Sequence, residues 1–109
     1  MLLHIHRYNN VLSFIPVIKD GVPKDKDLQL LSRKLGDYWK DLARCLDFEE
    51  PDITAFHKQN EELREKALKM LLKWRAKYGS EATYRVLYDA LCDECVGQTE
   101  LAQKYCCLS

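Results

Sequence analysis

A chain of 109 residues is long enough for one domain with one modest core. It holds 17 basic and 17 acidic residues, a formal net charge of zero, so bulk electrostatics single out neither a nucleic acid nor an acidic membrane as partner. No apolar run approaches the length of a membrane span.

Residues 1–26 read as an N-terminal arm, or as a linker from a preceding region. Val11, Leu12, Phe14, Ile15, Val17 and Ile18 are apolar, Pro16 interrupts them, and a polar loop runs from Lys19 to Lys26.

From Asp27 the apolar residues recur with helical period. A first helix over 27–35 carries Leu28, Leu31 and Leu35, and Gly36 suits the position just past its end. Asp37 is the expected N-cap of a second helix with Trp39, Leu42, Ala43 and Leu46. Pro51 fits the first turn of a short third helix bearing Ile53 and Phe56. Asn60 is the expected cap of the fourth and longest helix. There Leu63, Ala67, Met70, Leu71, Trp74 and Tyr78 form one apolar stripe. Gly79 ends that helix. Ser80 can cap a fifth, with Ala82, Val86, Leu87, Ala90 and Leu91. Gly97 breaks the chain again, and Thr99 can cap a sixth helix with Leu101, Ala102 and Tyr105.

Six short amphipathic helices must pack on one another, because none can bury its stripe alone. The expected core is Leu31, Leu35, Trp39, Leu42, Leu46, Ile53, Leu63, Met70, Leu71, Trp74, Leu87 and Leu91.

Charge is unevenly placed along this bundle. Residues 37–60 hold six acids (Asp37, Asp41, Asp47, Glu49, Glu50, Asp52) against Lys40, Arg44 and Lys58. Residues 64–77 hold six bases (Arg64, Lys66, Lys69, Lys73, Arg75, Lys77) against Glu65. Such segments are usually solvated helix faces; they also suit two complementary patches through which domains join head to tail.

The set Gly36-x-x-Trp39-x-x-Leu42-Ala43, Leu46-x-Phe48, Ile53, Leu63, Met70-Leu71-x-x-Trp74 and Ala82-Thr83-x-x-x-Leu87-x-x-Ala90-Leu91 resembles a death domain. Each element alone is an ordinary helix pattern; their order, with a tryptophan in helices two and four, is more specific. The resemblance covers about 27–105. It implies an all-α, six-helix antiparallel bundle of Greek-key type over 27–107, without catalytic activity. Its partners would be other death domains, in oligomeric signalling assemblies of apoptosis, inflammation or innate immunity. The acidic side (Asp41, Glu49, Glu50, Asp52) would meet a basic side (Lys69, Lys73, Arg75, Lys77, Arg85), with Lys40 and Arg44 setting orientation. The link from Leu91 to Leu101 departs from the pattern by being somewhat long, which bears on the start of helix six.

The alternative reading is a nucleic-acid-associated helical module using the basic helix 64–77. The acids of helices two and three would repel phosphate, so no nucleic acid is expected. His57 lies near Glu49, Glu50 and Asp52, but no serine nucleophile or Gly-rich phosphate loop accompanies it, and it reads as a surface residue.

Five cysteines, four of them near the C-terminal end, make a poor disulfide framework. With no leader-like apolar stretch evident, the chain is expected in the cytoplasm, including as the intracellular part of a larger or membrane-linked protein. Cys92, Cys95, Cys106 and Cys107, with His4 and His6, have the residue types of a zinc site. Their spacing is unlike a zinc ribbon, however, and adjacent cysteines on a helix point apart, so no metal or other cofactor is expected. Cys106-Cys107-Leu108-Ser109 fits a C-a-a-X pattern, which makes Cys106 a lipidation candidate provided the tail is extended and reachable.

Overall fold

The computed structural model describes residues 16–108. Val11 to Ile15, His4, His6 and Ser109 lie outside that range. Among the described residues there are six α-helices and no strand: α1 (Asp25–Ser32), α2 (Trp39–Cys45), α3 (Glu50–Gln59), α4 (Leu63–Tyr78), α5 (Tyr84–Cys92) and α6 (Thr99–Cys106). Helix α4 packs against α1, α2 and α3, while α6 packs against α5 and α1, so the last helix lies beside the first.

The core is one cluster around two indoles. Trp39 and Trp74 are buried with Leu28, Leu31, Leu35, Leu42, Leu46, Ile53, Met70, Leu71, Leu87 and Leu91. The stripe on α4 explains how one helix serves three neighbours: Ala67, Met70, Leu71 and Trp74 fall within one broad face. The Trp39 indole N–H has no hydrogen-bond partner among the described residues. That costs about 1–3 kcal/mol, which burial of so large a ring can offset.

Leu63 departs from the expected core. It is the first residue of α4 and remains 41% exposed. It lies about one turn before Lys66 and Ala67, where the buried face of α4 begins.

Most helix starts differ from the sequence expectation, each for a local reason. Helix α1 ends at Ser32, and Leu35 tucks under the bundle beyond it. Gly36 (φ 53°) then opens a 3₁₀ turn, Gly36–Tyr38, that leads directly into α2. Asp37 sits inside that turn and caps nothing. Asn60 serves the end of α3: its side-chain amide donates to the Phe56 carbonyl at 3.0 Å. The start of α4 belongs to Glu62, whose N–H donates to Glu65 Oε1 at 3.1 Å, the reach-back bond of a capping box. Ser80 lies in the 3₁₀ turn Gly79–Glu81, and Thr83 caps α5 instead, its Oγ1 accepting from the Val86 N–H at 3.2 Å. Gly79 (φ 55°, ψ −125°) takes a conformation that a side chain would oppose, so this stop is tied to its residue type. Thr99 is the first residue of α6, after Gln98. The Leu91–Leu101 link closes as a compact turn: Val96 and Gly97 N–H groups donate to the Asp93 carbonyl at 2.9 and 2.7 Å, and Val96 is buried.

The segment ahead of α1 is fastened to the bundle. Ile18 and Cys107 form an antiparallel bridge, the Lys19 N–H donates to the Cys106 carbonyl at 2.8 Å, and the Leu108 N–H donates to Val17 at 2.8 Å. Tyr84 ties the same segment to α5. Its N–H donates to the Gly21 carbonyl at 2.9 Å, and its hydroxyl accepts from the Lys24 N–H at 3.0 Å while donating to Asp27 Oδ2 at 2.5 Å. Lys19 Nζ reaches the same Asp27 oxygen at 3.1 Å, and Pro23 is fully buried.

Candidate functional site

Helices α3 and α4 diverge at their solvent side and leave a groove of about 620 Å³. Phe48, Asp52 and Phe56 line one side, and Lys73, Ala76 and Lys77 the other. The Phe48 and Phe56 rings meet edge to face at 5.3 Å, forming an apolar floor. A second hollow of about 480 Å³ shares Phe56, Gln59 and Lys73 with the first and adds Lys69 and Leu72. The two hollows adjoin at these shared residues, and together they are termed the trough.

Lys69, Lys73 and Lys77 recur every four residues, which places them in one row along the helix. All three are exposed, and none forms an ion pair among the described residues. Lys77 Nζ lies 5.8 Å from the Phe48 ring centroid and 5.4 Å from that of Tyr78.

The acidic side is partly neutralised from within. Arg44 forks onto both Glu50 oxygens at 2.8 and 3.1 Å and onto Asp41 Oδ1 at 2.9 Å. The Arg44 hydrogen bond holds the Glu50 carboxyl below its usual range, and Glu50 correspondingly raises the guanidinium. Lys40, half-buried on α2, places its charge near both Glu50 and His57. Glu49 and Asp52 are exposed at the start of α3, where the Glu49 N–H reaches Asp52 Oδ2 at 3.4 Å.

The acidic and basic residues adjoin rather than occupy separate sides, because Asp52 lines the same groove as Lys73 and Lys77. Arg75 leaves the basic row altogether. Two residues past Lys73, it points about 200° around the helix and meets α1. There Nη1 donates to the Pro23 carbonyl at 2.9 Å, and Nη2 pairs with Asp25 at 2.6 Å. Arg85 is exposed on α5, 3.9 Å from Asp89, and its charge acts on Cys107 at the arm end of the bundle.

A family model for the death domain matches residues 25–104. The chain belongs to the death-domain family. The six-helix, all-α arrangement agrees with the death fold. Death domains are protein–protein interaction modules that associate with other death domains.

Among the described residues no three His, Cys, Asp or Glu side chains are grouped to hold a metal ion, and no helix is long and apolar enough to cross a membrane. Cys106 is the last residue of α6 and is fully buried, with its thiol pushed up to about 12, first by burial. Cys107, which follows it in extended backbone, forms the bridge with Ile18.

Sequence reasoning missed Lys66, which lies on the buried face of α4 and is 8% exposed. Its ammonium donates to His57 Nδ1 at 2.9 Å, and Lys66 is the main cause of the lowered His57 pKa. Lys66 lies one place before Ala67 and four before Met70, a spacing that belongs to the apolar stripe and could have signalled its burial.

Proposed function

We propose that this death domain assembles intracellular signalling complexes, in apoptotic, inflammatory or innate immune pathways, by associating with other death domains through charged faces. The observation that carries this reading is the family match over residues 25–104. The row of Lys69, Lys73 and Lys77 supports it, because three exposed ammonium groups without ion pairs among the described residues suit a carboxylate-rich face. Beside that row Asp41 and Glu50 are bridged by Arg44, with Lys40 nearby, so Glu49 and Asp52, without ion pairs among the described residues, present the more available charge. Higher-order oligomers follow if both faces engage at once.

Light scattering across a salt series tests the reading. Lys73→Glu should weaken association with a death-domain partner while leaving the circular dichroism melt unchanged, and Glu49→Lys should weaken it while also lowering the melt, because Glu49 belongs to the capping box of α3. Added salt should weaken the unsubstituted domain. Salt-insensitive oligomers, or no association with any death domain tried, would refute it.

A further inference from the structure

The trough between α3 and α4 has features that a flat, charged contact face does not need. Its floor is apolar, made by the crossed Phe48 and Phe56 rings and by Leu72. One wall carries the row Lys69, Lys73, Lys77. The facing wall offers one carboxylate, Asp52, whose Oδ2 is already approached by the Glu49 N–H. We infer that this trough is a docking site for an acidic amphipathic helix from a partner protein, a binding activity distinct from association with other death domains although it shares the lysine row.

Three observations select that occupant. The lysines repeat at four-residue intervals, which matches carboxylates placed at i, i+4 and i+8 on a facing helix. The apolar floor lies beneath the row, so a helix whose carboxylates meet the lysines presents apolar residues from its adjoining face to Phe56 and Leu72. Ala55 on α3 and Ala76 on α4 are the small residues that keep the trough open. A nucleic acid fits less well. The Phe48 ring is 7% exposed and edge-packed on Phe56, so it offers bases no open stacking face.

The probe is a labelled synthetic peptide of about four helical turns, with glutamates at i, i+4 and i+8 and leucine or phenylalanine on the adjoining face. Anisotropy titration on the full chain should give saturable binding that weakens with salt, with amide shifts confined to Phe48 to Gln59 and Lys69 to Lys77. Ala76→Trp fills the trough but keeps every lysine, and should weaken the peptide at least about tenfold. Lys73→Glu should weaken it as well. A peptide with lysines in place of the glutamates should not bind. Equal binding of that lysine peptide, unchanged affinity in Ala76→Trp, shifts elsewhere on the domain, or tighter binding of single-stranded RNA at these residues would each overturn the inference. If Ala76→Trp abolishes death-domain association too, the trough is part of that interface and the separate activity is refuted. If the peptide binds but no death domain does, the docking site stands and the assembly reading falls.

Discussion

Replacing Tyr84 with phenylalanine tests whether the segment before α1 is part of the folded unit. The ring is 2% exposed, and the substitution preserves its packing while removing one oxygen. That oxygen donates to Asp27 at 2.5 Å and accepts from the Lys24 N–H at 3.0 Å. A bond to a charged group is worth about 1.5–3 kcal/mol net and a neutral one about 0.5–1.5 kcal/mol. Asp27 retains Lys19 at 3.1 Å, and Lys24 is exposed enough for water to replace its lost acceptor, so both losses are discounted. The expected cost is about 2–3 kcal/mol, or a fall in melting temperature of about 10 °C or more for a domain of this size. Urea denaturation followed by tryptophan fluorescence reads it directly. Hydrogen exchange should also quicken at the Lys19 and Tyr84 amides, which are bonded across the same seam. A cost below about 0.5 kcal/mol, within the ordinary range of surface substitutions, would refute the reasoning.

Arg75→Glu should destabilise the monomer by about 1–3 kcal/mol, because it loses the Pro23 carbonyl and faces Asp25. A urea midpoint equal to that of the unsubstituted domain would count against this role. Leu71→Ala should cost about 2–5 kcal/mol and Leu63→Ala less than about 0.5 kcal/mol, since one is fully buried and the other exposed. Calorimetry of the two variants checks the contrast. His57 has its pKa lowered from 6.5, chiefly by the Lys66 charge and then by desolvation, Lys40 and Lys58. The unfolded chain therefore takes up this proton first as pH falls, and the contribution is fully present above about pH 6.5 and lost below it. Urea midpoints on either side of that pH should fall more for the unsubstituted domain than for His57→Gln; equal falls would disprove the coupling.

The stripes were legible in the sequence because helical period is local: Trp39 with Leu42, and Ala67 through Trp74, reveal their buried faces without outside information. Helix starts were not. Asn60, Glu62, Ser80 and Thr83 are all credible caps, and the selection depends on where neighbouring helices require the chain to turn. Within the candidate site, the four-residue spacing of Lys69, Lys73 and Lys77 could be read directly. The diversion of Arg75 could not, because its partners Pro23 and Asp25 are about fifty residues away in sequence. A similar distance hid the contact of Tyr84 with Asp27. Composition suggested opposing acidic and basic sides, whereas packing of α3 on α4 brings Asp52 beside the lysines.

The antiparallel meeting of Val17 to Lys19 with Cys106 to Leu108 brings the chain in and out of the bundle at one place. Tension between the two ends would load the Leu108–Val17 bond first and the Lys19–Cys106 bond next, opening the seam as an unzipping instead of a shear. The segment would peel away before the six helices felt the full pull. Its detachment would expose Cys106 and Cys107 to solvent, so thiol labelling under force would report the first step of mechanical failure.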